Sequence, residues 1–266
     1  MSLLSNLLTP PKETSKQPLK EIFFATLIGI SGLIAIAFWS VILVLIAGVD
    51  ILTDPLWGLL LTSLAFCMGI LTIFLFYMRR TNTPFTFLDI NFPTWRDISY
   101  IIAGLITLFS ILLIIGVLFT YFGVETTSHS VENIVSSSPE IILLLIPISL
   151  LLVGPLEELL YRNIIQKYLY SSFSPIGSIF ISSIIFSAVH ISAYAGDALF
   201  QNPLPALNAL AVIFILSVII GIVYYQTKNI VTAALLHGIY DSIIFAVFYI
   251  NTTADITTTI SSIILF

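Results

Sequence analysis

Charge is what this sequence has least of. Only 9% of its 266 residues are Asp, Glu, Lys or Arg, where a soluble globular domain carries about a quarter. That scarcity excludes a water-facing surface over most of the molecule. Basic residues are the fewest, nine against fourteen acidic ones, so no basic patch is left for a nucleic-acid partner. The single cysteine, Cys67, excludes an intrachain disulfide and reads as a small buried hydrophobe. No repeat recurs at a fixed period, and no glycine-rich loop is present to cradle phosphate. No short apolar run with a small-residue cleavage site opens the chain; its first apolar run is long enough to stay as an anchor.

Apolar residues fill the space that charge leaves. They make up 58% of the chain, and its mean hydropathy is +1.10. The pattern predicts an all-α, polytopic membrane protein with seven to eight transmembrane helices in contact with the lipid bilayer. Spans are expected over 22–49, 56–78, 98–122, 141–170, 178–193, 206–225 and 230–250. Residues 1–21 read as a polar cytoplasmic tail and 22–139 as three N-terminal helices. Residues 140–250 read as the core that carries chemistry, and 251–266 as a short C-terminal apolar segment, too brief for an ordinary span. All nine Lys and Arg fall on one side or at its edge, and the charged residues in the loops of the other side are all Asp or Glu. That asymmetry puts the N-terminus in the cytoplasm.

The chemistry concentrates at Gly154-Pro155-Leu156-Glu157-Glu158-Leu159-Leu160-Tyr161-Arg162, which succeeds an uncharged run beginning at Ile141. Charges at membrane depth cost roughly 2.5–3.5 kcal/mol each on insertion scales, so three within six residues imply use. On an α-helix Glu158 and Arg162 lie four residues and ~40° apart and can pair. Glu157 points ~100° away from Glu158, which leaves it free to face a polar cavity as a general base. Two of the three histidines also lie in apolar spans. His190 ends Phe186-Ser187-Ala188-Val189-His190, and His237 shares a helix face with Asp241 four residues on. His129, in an outer loop, reads as solvated.

Glu-Glu-x3-Arg, then Phe-x3-His, then His-x3-Asp, on successive C-terminal spans, resembles the CPBP intramembrane proteases, which include the type II CAAX prenyl endopeptidases. The resemblance covers roughly residues 140–250. It implies an endopeptidase in which Glu157 and His190 bind and deprotonate a water, His237 and residue 241 stabilise the oxyanion, and Glu158 and Arg162 support them. It implies a membrane-associated or lipidated peptide substrate, a prenylated CAAX tail being one class. The family pattern often has Asn where this chain has Asp241, and an ionised Asp repels an oxyanion. Three roles stay open for it: a protonated donor, a partner that fixes the tautomer of His237, or a metal ligand. The cofactor is either none or a single zinc held by Glu157, His190 and His237, with Asp241 as a fourth or outer ligand. The His-Glu-x2-His helix of ordinary zinc peptidases is absent.

One depth does not match. If the fourth helix ends near Asn163, Glu157 and His237 lie ~8–10 Å in from the basic side and His190 ~18 Å. The expected repair is a dip of 171–177 into the protein, or a shift or kink at Gly154-Pro155. The expected cavity opens to the cytoplasmic side or laterally, lined by Glu157, His190, His237 and Asp241. Two other classes compete: a non-proteolytic immunity or scaffold protein, and a proton-coupled transporter. The second would more often show an inverted repeat.

Overall fold

The computed structural model describes residue 7 and residues 17–125, 140–194 and 203–253. Among them are seven helices long and apolar enough to cross a membrane, which we label α1 (Pro18–Ala47), α2 (Pro55–Thr81), α3 (Trp95–Phe122), α4 (Ile141–Leu169), α5 (Pro175–Tyr194), α6 (Leu204–Thr227) and α7 (Ile230–Thr253). The segment 256–266, expected to lie at the membrane or to extend a span, falls outside the described residues, as do His129 and most of the tail.

The helix starts reflect local chemistry. Pro18, Pro55 and Pro175 stand in the first turns of α1, α2 and α5, where the missing N–H is not needed. The carboxylate of Asp54 accepts from the amides of Leu56 and Trp57, and Thr94 and Asp97 form a reciprocal capping box on α3. Proline at its start also lets α1 begin at Pro18, so 18–21 belong to a helix rather than to the tail. The side chain of Ser174 accepts from Gly177 and starts α5 at Pro175. The break between α4 and α5 is therefore 170–174, shorter than the 171–177 expected.

Hydrogen bonds fix which ends lie together. Tyr168 donates to Glu21. Lys167 Nζ reaches the carbonyl of Phe87 at 2.5 Å and Asp89 at 3.0 Å. The amide of Ile230 donates to the carbonyl of Asp89, 2.9 Å, and Arg96 to that of Gln226, 3.2 Å. The start of α1, the connector 82–94, the α4–α5 turn and the α6–α7 turn thus share one end of the bundle. At the other end Asn208 donates to the carbonyl of Glu125, and Leu59, Ile141, Ile142 and Leu145 pack with Phe245 and Phe248.

α4 runs through the middle. It is not a plain α-helix: Ser149–Val153 and Leu159–Gln166 are π-helical. Each wider turn admits an extra residue and rotates the helix beyond it. This widening flanks Gly154-Pro155, where the sequence predicts a shift or kink. From Leu160 to Gln166 every residue is buried, with α1, α2 and α5 packed around this stretch. α3 packs with α6 and α7 in a second apolar cluster.

Candidate active site

α4 and α7 cross at two glycines. A Cβ on Gly238 would stand 2.7 Å from the Cα of Leu150, and one on Gly154 would stand 3.0 Å from the carbonyl oxygen of Ala234. Neither helix has room for a side chain, and that close approach carries His237 to the acidic turn of α4. Its Nδ1 donates to Oε1 of Glu158 at 2.8 Å. The other oxygen of Glu158 accepts from Nε of Arg162, also at 2.8 Å, with both side chains wholly buried. Nη2 of Arg162 donates to Ser217 on α6, 3.0 Å. One buried carboxylate therefore serves a guanidinium and an imidazole together, which a buried ion pair requires if its remaining lone pairs are to be met.

Glu157 faces elsewhere. Its carboxylate looks across to two imidazoles, with Oε1 3.9 Å from Nε2 of His190 and Oε2 3.8 Å from Nε2 of His237. These gaps are too long for direct hydrogen bonds and fit one intervening small group. Nδ1 of His190 donates to the carbonyl of Phe186, 2.7 Å. Each histidine is thus held through Nδ1 and presents Nε2. The Phe186 ring lies between them, its centroid 4.5 Å from His190 and 6.1 Å from His237, with Arg162 over it at 5.4 Å.

The structure brings Glu157, Glu158, Arg162, His190, His237 and Asp241 into this one cluster. Asp241 Oδ2 lies 3.5 Å from Nε2 of His237, beyond good hydrogen-bond length. The partner that sets the tautomer of His237 is Glu158, not Asp241. Arg162 lies inside the bundle, fully buried seven residues before the end of α4. Sequence reasoning missed Ser217, whose only signal was a lone hydroxyl in an apolar run. It also missed the polar layer beneath the site, where Asn163 donates to Tyr224 at 3.3 Å and Tyr224 to Asp89 at 2.6 Å.

The depth mismatch has a simple origin. α4 ends at Leu169 rather than near Asn163, which places Glu157 ~18 Å along the helix from that end, level with His190. α7 starts deeper, because the connector lies over its first residues and Asn229 is buried.

The donor types suit zinc, whose ligands at ~2.0–2.1 Å would stand ~3.3 Å apart in a tetrahedron. The separations here are wider, and among the described residues no group of three or more His, Cys, Asp or Glu could hold a metal ion. As they stand, these residues do not form a metal site.

A cavity of about 550 Å³ reaches the cluster and is lined by Glu157, His190, His237 and Asp241. Its size suits a ligand or a stretch of peptide. Its course departs from the cytoplasmic opening that was one of the two expected. From the cluster it runs to the end of the bundle remote from the connector and the basic residues.

Residues 139–243 match the family described as type II CAAX prenyl endopeptidase Rce1-like. This part of the chain belongs to the CPBP/CAAX protease family. The matched stretch spans the start of α4 to the middle of α7 and holds all six clustered residues. No curated protein and no solved structure matches the chain. Seven apolar helices and a CPBP/CAAX core make this an integral, multi-pass membrane protein of a protease family.

Proposed function

We propose that the protein is an intramembrane endopeptidase that cleaves a peptide bond in a membrane-associated substrate, with water activated by Glu157 and His190. The N-terminus is cytoplasmic in this reading. The observation that carries it is the pair of Nε2 atoms facing one free carboxylate across 3.9 and 3.8 Å, each imidazole being locked through its other nitrogen.

A water seated between Glu157 and His190 donates one hydrogen to the carboxylate and one to Nε2 of His190. Its lone pair then points at the scissile carbonyl. Glu157 takes a proton as the oxygen attacks and passes it to the leaving amine, so no acyl-enzyme forms. His237 meets the developing oxyanion through Nε2. It must carry both ring protons to do so, since Nδ1 is already donating to Glu158. Asp241 joins it only as the neutral acid, because a carboxylate has no proton to give. Glu158 and Arg162 act through His237 as positioning residues. The name of the matched family brings a prenylated CAAX-type tail within the substrate range, beside other lipidated or membrane-spanning peptides.

The test is hydrolysis in mild detergent against a panel of lipidated and transmembrane peptides. Glu157→Ala and His190→Ala proteins that elute and melt like the parent should lose about 10²–10⁴-fold of its rate. Full activity in either variant, or a parent that cleaves nothing, would defeat the reading.

A further inference from the structure

The cavity is shut at one end and continues to the other. At the connector end its lining stops at Tyr161 on α4, Phe186 on α5 and Ile220 on α6. Beyond them every residue from Leu160 to Gln166 is buried. Gln166 donates to the carbonyl of Gly221 at 3.1 Å and to Tyr170 at 2.6 Å. Asp89 closes that end by accepting from both Lys167 and Tyr224. Among the described residues, no lining residue lies on this side of the plug.

At the opposite end the lining carries on almost to the helix termini. Leu59 is four residues from the start of α2, Leu145 four from the start of α4, and Phe248 five from the last residue of α7. Thr62 and Ser192 line it and are exposed.

Charge says which face this is. Lys20, Arg79, Arg80, Arg96, Lys167 and Lys228 all stand at the shut end. Asp50, Asp54, Glu125 and Glu140 stand at the other, where no Lys or Arg occurs among the described residues. Short loops rich in Lys and Arg stay in the cytoplasm.

We infer that the cavity takes its substrate from the extracytoplasmic face, as an apolar peptide segment lodged in the outer half of the membrane. The chemistry rests on the proteolytic reading above. The direction of entry rests on the plug, the lining and the charge asymmetry.

The experiment is thiol accessibility in the full chain. Cys67→Ala removes the native thiol, and Thr62→Cys or Ser192→Cys places one in the cavity wall. Arg80→Cys marks the basic end. A charged, membrane-impermeant maleimide is applied to sealed right-side-out and inside-out vesicles. The cavity cysteines should label in right-side-out vesicles and lose that labelling in inside-out ones, with the reverse at Arg80→Cys. Labelling of the cavity cysteines only in inside-out vesicles, or in neither, overturns the inference. So does labelling of Arg80→Cys in right-side-out vesicles. Hydrolysis is not read, so a protein that labels as expected yet cleaves no peptide would remove the proteolytic reading and leave the direction of entry standing.

Discussion

Two adjacent glutamates occupy opposite circumstances. Glu158 is wholly buried, with one oxygen on Arg162 and the other on His237. Glu157 touches the cavity and bonds no side chain directly. Losing the first strands a buried guanidinium, and breaking a buried pair from one side costs about 3–5 kcal/mol. Losing the charge of the second strands nothing. Glu158→Ala should therefore lower the thermal midpoint in mild detergent sharply. Glu157→Gln should shift stability by less than about 1 kcal/mol while abolishing hydrolysis. Equal melting of the two variants would mean that the carboxylates do not divide the work this way.

The crossing of α4 and α7 decides whether His237 can reach Glu158 at all. Gly238 meets the backbone of Leu150 and Ser149 more closely than any side chain, so a methyl group there must push the helices apart. Gly238→Ala should cost about 1–3 kcal/mol, the usual penalty of overpacking, and should lower hydrolysis with it, since the Glu158–His237 bond spans that contact. Gly58→Ala is the control. Its Cβ would meet only a carbonyl oxygen at 3.9 Å, and it should melt and cleave like the parent. A Gly238→Ala protein with parental melting and activity would show that the helices can yield. The pairing of Glu158 with Arg162 was legible from their spacing, and the shared face of His237 and Asp241 from theirs. The π-helical stretches that bracket Glu157 were not. They depend on which neighbours press on α4, and hydrophobic periodicity carries no mark of them.

Over the whole molecule, the connector 82–94 ties the ends of the bundle together through Asp89. Its carboxylate accepts from Lys167 and Tyr224, and its carbonyl accepts from Ile230. Hydrogen bonds to a charged group contribute about 1.5–3 kcal/mol. Asp89→Ala removes the carboxylate that both groups share. A chain of this size should then melt several degrees lower, at about 2–4 °C per kcal/mol. An unchanged melting temperature would mean that the plug holds without it.

Composition was enough to make this an all-helical membrane protein, because too few charges remain to coat it for water. The order of the three polar motifs carried the family resemblance that pointed to the six residues and their chemistry, and helical spacing paired Glu158 with Arg162 and put His237 and Asp241 on one face. Contact between helices decided the rest. The burial of Leu160 to Gln166, the glycine crossing of α4 and α7 and the connector lying over the start of α7 are long-range packing. They set the depth of His190, gave His237 its partner in Glu158 rather than Asp241, and turned the cavity away from the basic end. No local pattern of residues encodes which end of a bundle is filled, since that depends on side chains from several helices meeting in one layer.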